Sequence, residues 1–345
     1  MRMPPAQFAR QLGQGSLPVA SGRHTSLAMF HHRTFLLVVF AVGVLTGQQT
    51  DVRAQTIRKL ASGILTVIPP EPHEHETFQG PLPLSNVSKL DWTPHFTPKT
   101  ETLRQKSAQV VLRHNIWNLE LAFKPLRMVY VDIPQPTGKM QRKLIWYMVY
   151  RVRNLGGHLT PARAEDKTYK PEPVDEVLNF GGAEPANSVR FFPHFVLEST
   201  EVGKAYLDRI IPAAVPVIQL REMRGARLLN SVEITQVSIP VVAREDGPGV
   251  WGVVTWEDVD PGIDFFSIFV QGLTNAFRLE PATTGGVTQR LKTLQLNFWR
   301  PGDTEDEHEG EIKYGVPAVT DPAEQAAICT RYNIPRRVDY LWIYR

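Results

Sequence analysis

KLIWYMVYRVRN, residues 143–154, decides the fold class. Its aromatic and β-branched side chains suit a pleated strand better than a helix. Tyr150, Val152 and Asn154 alternate with Arg151 and Arg153, the period of two that gives a strand one apolar and one charged face. Upstream, LELAFKPLRMVYVDI (119–133) runs into Pro134-Gln135-Pro136-Thr137-Gly138, a strong turn cluster. The two stretches read as a long hairpin or as neighbouring antiparallel strands, stopped by Gly156-Gly157.

Strand signals continue downstream at 189–199 (broken by Pro193), 228–242, 250–256, 264–273, 291–299, 311–316 and 338–344. Residues 206–223 have roughly helical apolar spacing with Pro212 and Pro216 inside, which predicts a short or kinked helix as a crossover. A second helix is predicted from Asp321 to Tyr332, with Asp321 as N-cap and Pro322 in the first turn. Many short strands without regularly alternating helices predict a mainly β chain. The specific expectation is an immunoglobulin-like antiparallel β-sandwich with elaborations and one or two short helices, spanning 111–345.

The N-terminal part reads differently. FLLVVFAVGVLT (35–46) is apolar for twelve residues, short of the roughly 20 needed to cross a bilayer. His31, His32 and Arg33 flank it before, and Val52-Arg53-Ala54 follows with residues a signal peptidase accepts. Residues 1–54 are therefore expected to be a leader cut after Ala54, with Met29 as a candidate true start. Residues 55–110, rich in proline and polar residues, are expected to be an extended linker. An oxidising compartment would bring no intrachain disulfide, because Cys329 is the one cysteine. It falls in Ala326-Ala327-Ile328-Cys329 and reads as a small buried helix residue.

Removing the leader takes five arginines and one aspartate from the chain's 38 basic and 35 acidic residues. The remaining balance is −1, so a basic face for nucleic acid is not expected. Contact with a membrane is expected only through the apolar segment.

Three strings could carry chemistry. His73-Glu74-His75-Glu76 offers imidazole and carboxylate ligands for zinc or copper, though it sits in the linker composition and lacks the helical His spacing of metalloproteases. Asp258, Asp260 and Asp264 in WEDVDPGIDFF suggest a calcium loop, without the EF-hand spacing; the plainer reading is a turn at Asp260-Pro261-Gly262. Glu305, Asp306, Glu307, Glu309 and Glu311 form an acidic run that reads as a solvated loop, or as a source of paired carboxylates for glycoside hydrolysis. No nucleophile elbow, phosphate loop or dinucleotide fingerprint is present. Gly181-Gly182 and Gly285-Gly286 read as loop glycines. The aromatics on strand stretches, Trp117, Trp146, Tyr147, Tyr150, Trp251, Trp256, Phe265, Phe266, Phe269, Trp299, Tyr340 and Trp342, are expected mostly in the core. Any on an outer face would suit stacking on sugar rings or filling a partner interface.

KLIWYMVYRVRNLGG, WGVVTWEDVDPGIDFFSIFVQGLTNAF and YNIPRRVDYLWIYR resemble segments of uncharacterised secreted proteins of planctomycete bacteria, over about 110–345. The resemblance implies export and a cell-envelope setting and carries no activity or residue role. The functional expectation is an exported envelope or periplasmic protein, a non-enzymatic interaction module whose partner is an envelope protein or a surface polysaccharide. The first alternative is a carbohydrate-binding or carbohydrate-cleaving module. The second is a periplasmic metal-binding protein using His73 and His75.

Overall fold

A computed structural model of the chain describes residues 65–82, 105–175, 177–178, 185–186, 188–242, 247–282, 287–302 and 312–345. The expected leader with its cut after Ala54, the acidic run at 305–311 and the pairs Gly181-Gly182 and Gly285-Gly286 lie outside these residues. The chain divides into Met1–Ile57 and Arg58–Arg345, and every described residue belongs to the second unit.

The described chain is mainly β, arranged in several antiparallel sheets. The first large sheet contains β1 (Thr66–Ile68), β4 (Glu120–Phe123), β5 (Arg127–Pro134), β6 (Met140–Arg153) and β15 (Val250–Glu257). The hairpin read from the sequence is the pair β5·β6, with Arg127 opposite Tyr147 and Pro134 opposite Met140. β4 pairs with the far end of β6, and β15 with its other edge. The second large sheet runs β13 (Lys204–Leu207), β12 (His194–Ser199), β16 (Phe265–Gln271) and β18 (Val287–Trp299). The long β18 also pairs β17 (Phe277–Pro281), β19 (Lys313–Tyr314) and β20 (Tyr340–Tyr344). Small ribbons complete the set: β2 (Phe78–Leu82) with β3 (Val110–Arg113), β7 (His158–Arg163) with β8 (Tyr169–Val174), β9 (Val177–Leu178) with β10 (Pro185–Ala186), and β11 (Ser188–Arg190) with β14 (Ser238–Pro240). Besides a short helical turn at 105–107, the described residues form the α-helices α1 (Ala214–Glu222) and α2 (Pro322–Arg331). Among the described residues no helix is long and apolar enough to cross a membrane.

Period-two alternation places the core. Trp146, Met148, Tyr150 and Val152 of β6 share one buried cluster with Phe195, Phe266, Ile268, Leu294, Leu296 and Phe298 of the second sheet, a sandwich-like packing. Trp146 meets Phe266 edge-on at 5.5 Å, and Phe298 stacks on Phe266 at 5.6 Å. Ile145, Tyr147 and Val149 point the other way, under α1, with Val129, Ile211 and Ile218. From Ile145 onward β6 is thus buried on both faces. Its expected charged face is not solvated: Arg153 is 5% exposed and grips Glu120 with two bonds of 2.7 and 2.9 Å.

Other expectations meet corrections. The predicted helix at 206–223 is a strand to Leu207 and a helix only from Ala214. Pro216 is tolerated because it falls in the first turn, where its missing N–H would lack an intrahelical partner anyway. Residues 228–242 are not one strand. Asn230 Oδ1 accepts from the N–H groups of Val232 and Glu233 at 2.9 Å and winds a 3-10 turn at Glu233–Gln236, leaving only β14 extended. The break at Pro193 is real, since β11 and β12 belong to different sheets. The linker expected at 55–110 is woven into the body over 66–82: β1 pairs β4, β2 pairs β3, and Glu76 is 1% exposed. α2 begins as expected, with the Asp321 side chain accepting from Ala323 N–H at 2.9 Å.

Gly272 follows β16 at φ +92, and a Cβ there would lie 2.1 Å from the Phe192 carbonyl oxygen. Gly272→Ala is expected to cost more than about 1 kcal/mol, read as a lower urea midpoint at unchanged slope.

Candidate functional site

The outer face of the second sheet, turned away from the core, carries side chains that a solvent face would not require. Cross-strand registers order them in rows. Glu198 of β12 faces Ser267 of β16, which faces Asn297 of β18; Phe269 of β16 faces Gln295 of β18. Ser267, Thr293, Gln295 and Asn297 are all nearly inaccessible. Buried polar groups need partners, and these find one another. Ser267 Oγ donates to Asn297 Oδ1 at 2.8 Å. The Gln295 amide donates to Ser267 Oγ, Asn297 Oδ1 and the Tyr332 carbonyl at 3.0–3.1 Å. Asn297 donates to the Val338 carbonyl at 2.9 Å. The network therefore fixes α2 and the segment after it over this face, with Tyr332 OH bonded to the Phe298 carbonyl at 2.8 Å.

Where that cover stops, a pocket of about 530 Å³ remains. Ser267 and Gln295 lie in its floor, Phe269, Tyr332 and Tyr344 are its aromatic lining, and Thr330 and Asn333 come from the end of α2. Glu198, the one acid in the lining, is held by Arg345 at 2.5 Å, and the Arg345 guanidinium lies 4.2 Å from the Phe269 ring centre. This size and mix suit a small polar ligand: the exposed Thr200, Thr330 and Asn333 offer hydroxyl and amide groups beside an apolar ring, over a floor that Ser267 and Gln295 hold fixed. The paired Glu198 is a positioned hydrogen-bond acceptor, and among the described residues no second carboxylate lines the pocket to share acid and base roles.

The His-Glu string is placed elsewhere. His73 caps the 3-10 turn Glu74–Thr77, and its N–H donates to Glu76 Oε2 at 3.0 Å. Glu76 is buried against Lys292 at 2.6 Å and accepts from Tyr344 OH at 2.5 Å. Burial alone would raise its carboxyl pKa. The bonds from Lys292, Tyr344 and the His73 N–H outweigh that and hold it below the ordinary glutamate value. Lys292 also reaches the Glu71 carbonyl. His73 and His75 do come together, their rings stacked at 5.4 Å. His75 Nε2 faces Arg278 at 3.1 Å, so its lone pair is turned to a guanidinium. Burial, helped by Arg278 and Lys292 against Glu76, lowers the His75 pKa.

The aspartates of WEDVDPGIDFF are spread among cations. Asp258 pairs with Lys143 at 3.1 Å and Asp260 with Lys204 at 2.8 Å. Asp260 also accepts from Gly262 N–H at 3.1 Å, the turn read from the sequence. Asp264 lies beyond that turn, and its carbonyl accepts from Arg300 N–H at 2.8 Å. Among the described residues no group of three or more His, Cys, Asp or Glu is placed to hold a metal ion. Of the aromatics on the strand stretches, Trp146, Tyr147, Tyr150, Trp256 and Phe266 are core, and Phe269 is the one that lines the pocket. The other pocket residues are not legible as a site in the sequence. Their only signal is the alternation of Thr293, Gln295 and Asn297 with leucine and phenylalanine in TLQLNF.

No family model, curated protein or solved structure matches the chain.

Proposed function

We propose that this chain is an exported, extracytoplasmic recognition module whose partner is a surface polysaccharide, bound in the pocket on the outer face of the second sheet. The observation that carries the reading is the lining: the exposed hydroxyls of Thr200 and Thr330, the Asn333 amide and the charged Glu198, Arg290 and Arg345 surround the half-buried ring of Phe269. Sugars present hydroxyls at their edges and C–H groups on their faces, and this lining offers a counterpart to each. The pairing of Glu198 with Arg345 favours holding a ligand over cleaving it. Two antiparallel sheets around one core support an immunoglobulin-like sandwich with elaborations as the scaffold. The apolar run at 35–46 and its flanks support export.

The test is titration calorimetry against neutral, uronate-containing and amino-sugar polysaccharides. At least one class is expected to bind, and Phe269→Ala is expected to weaken it about tenfold through lost ring contact. Indifference of every class, or equal binding by Phe269→Ala, would contradict the assignment.

A further inference from the structure

Helix α1 buries Ala214, Ile218 and Glu222, one stripe at a spacing of four, against the first sheet. A surface helix is normally polar on its opposite side. Here that side is apolar too: Pro216 and Val217 are exposed, and Leu220 is 64% exposed. Of the eleven large apolar side chains exposed among the described residues, five (Leu207, Ile210, Val217, Leu220 and Val232) fall within this one stretch of chain.

The charges around the ridge are unequal in sign. Arg209, Arg224 and Arg227 are exposed. Of the three acids in 208–233, Glu233 is 40% exposed at its side chain and the other two turn inward. Glu222 is 1% exposed at its side chain and lies between Arg127 at 2.5 Å and Lys124 at 3.6 Å. Asp208 accepts from Ser231 and from the Thr255 N–H. Arg209 and Arg227 keep carboxylate neighbours, Glu257 and Glu233, while their own side chains stay 67% and 74% exposed. Arg224 bonds to the Leu220 carbonyl at 3.3 Å, at the end of the apolar stripe.

We propose that this ridge docks the protein on an anionic lipid bilayer. Val217 and Leu220 enter the headgroup boundary and the arginines meet lipid phosphates. A second copy of the chain fits less well, because it would set the same arginines against each other. This contact is separate from any made by the apolar segment at 35–46, and it does not rest on the polysaccharide reading.

A fluorophore sensitive to polarity, attached at Leu220→Cys in a Cys329→Ala background of the full chain, reads the ridge itself. Thr330→Cys in the same background, an exposed site at the end of α2, is the control for tethering by the N-terminal segment. With phosphatidylglycerol-containing vesicles the emission at 220 is expected to shift blue, less so at high salt, with no shift at 330. Phosphatidylcholine vesicles are expected to give little shift. Adding Arg224→Glu and Arg227→Glu is expected to lower the lipid affinity about tenfold or more. No shift at 220, an equal shift at 330, or a lipid-free shift that grows with protein concentration would overturn the proposal, the last in favour of self-association.

Discussion

Lys292→Met is expected to destabilise the protein by about 3–5 kcal/mol, the usual cost of stranding one member of a buried ion pair. Lys292 is 3% exposed at its side chain and Glu76 is 1% exposed. Methionine keeps much of the packing volume but supplies no donor. Glu76 would then retain the Tyr344 hydroxyl and the His73 N–H and lose its cation. For a body of this size the melting temperature should fall by about 10 °C. The pair Glu76→Gln with Lys292→Met should recover most of the loss, because no lone charge is left inside. Since the folded Glu76 pKa is held below its ordinary 4.5, its contribution is present above that pH and is lost as pH falls through the folded value. Wild type should therefore lose stability faster below pH 4.5 than the double variant, measured by urea unfolding across pH.

Phe298→Ala should have an effect of similar size, about 3–5 kcal/mol, from lost burial and the cavity left behind. Phe298 is wholly buried. It stacks on Phe266 within its own sheet and meets Phe123 of the first sheet at 6.0 Å, so it joins the two layers. Trp299 follows it on the opposite face and is half-buried, with Lys313 5.1 Å from its ring centre. Trp299→Ala should cost clearly less despite removing a larger side chain. Equal costs by denaturant titration would contradict a core face at Phe298 and an outer face at Trp299.

That face assignment marks how far the sequence could be read. β6, β15 and β16 were legible because aromatic and β-branched residues repeat with the period of a strand between clear turn residues. α2 was legible through its local cap, Asp321 with Pro322. The 3-10 turn at 233–236 was not, because its apolar residues alternate like a strand while the Asn230 side chain bends the backbone. Two larger features depended on partners far along the chain. By its neighbours in sequence Glu76 belongs to a polar linker, yet its cation lies 216 residues away. The pocket face was hidden for a related reason. Polar residues at every second position of a strand ordinarily mark the solvated side. Ser267, Gln295 and Asn297 follow that pattern, and their burial becomes visible only once α2 and the residues after it lie across them.

Hydroxyl-radical footprinting of the full chain, with and without a bound surface oligosaccharide, tests the proposed role most directly. Protection is expected at Phe269, Tyr344 and Arg345, which line the pocket, with Phe78 and Tyr169, which line a separate pocket on the small ribbons, unchanged. Protection confined to those ribbons, or none at the three sites under saturating sugar, would contradict recognition on the outer face of the second sheet.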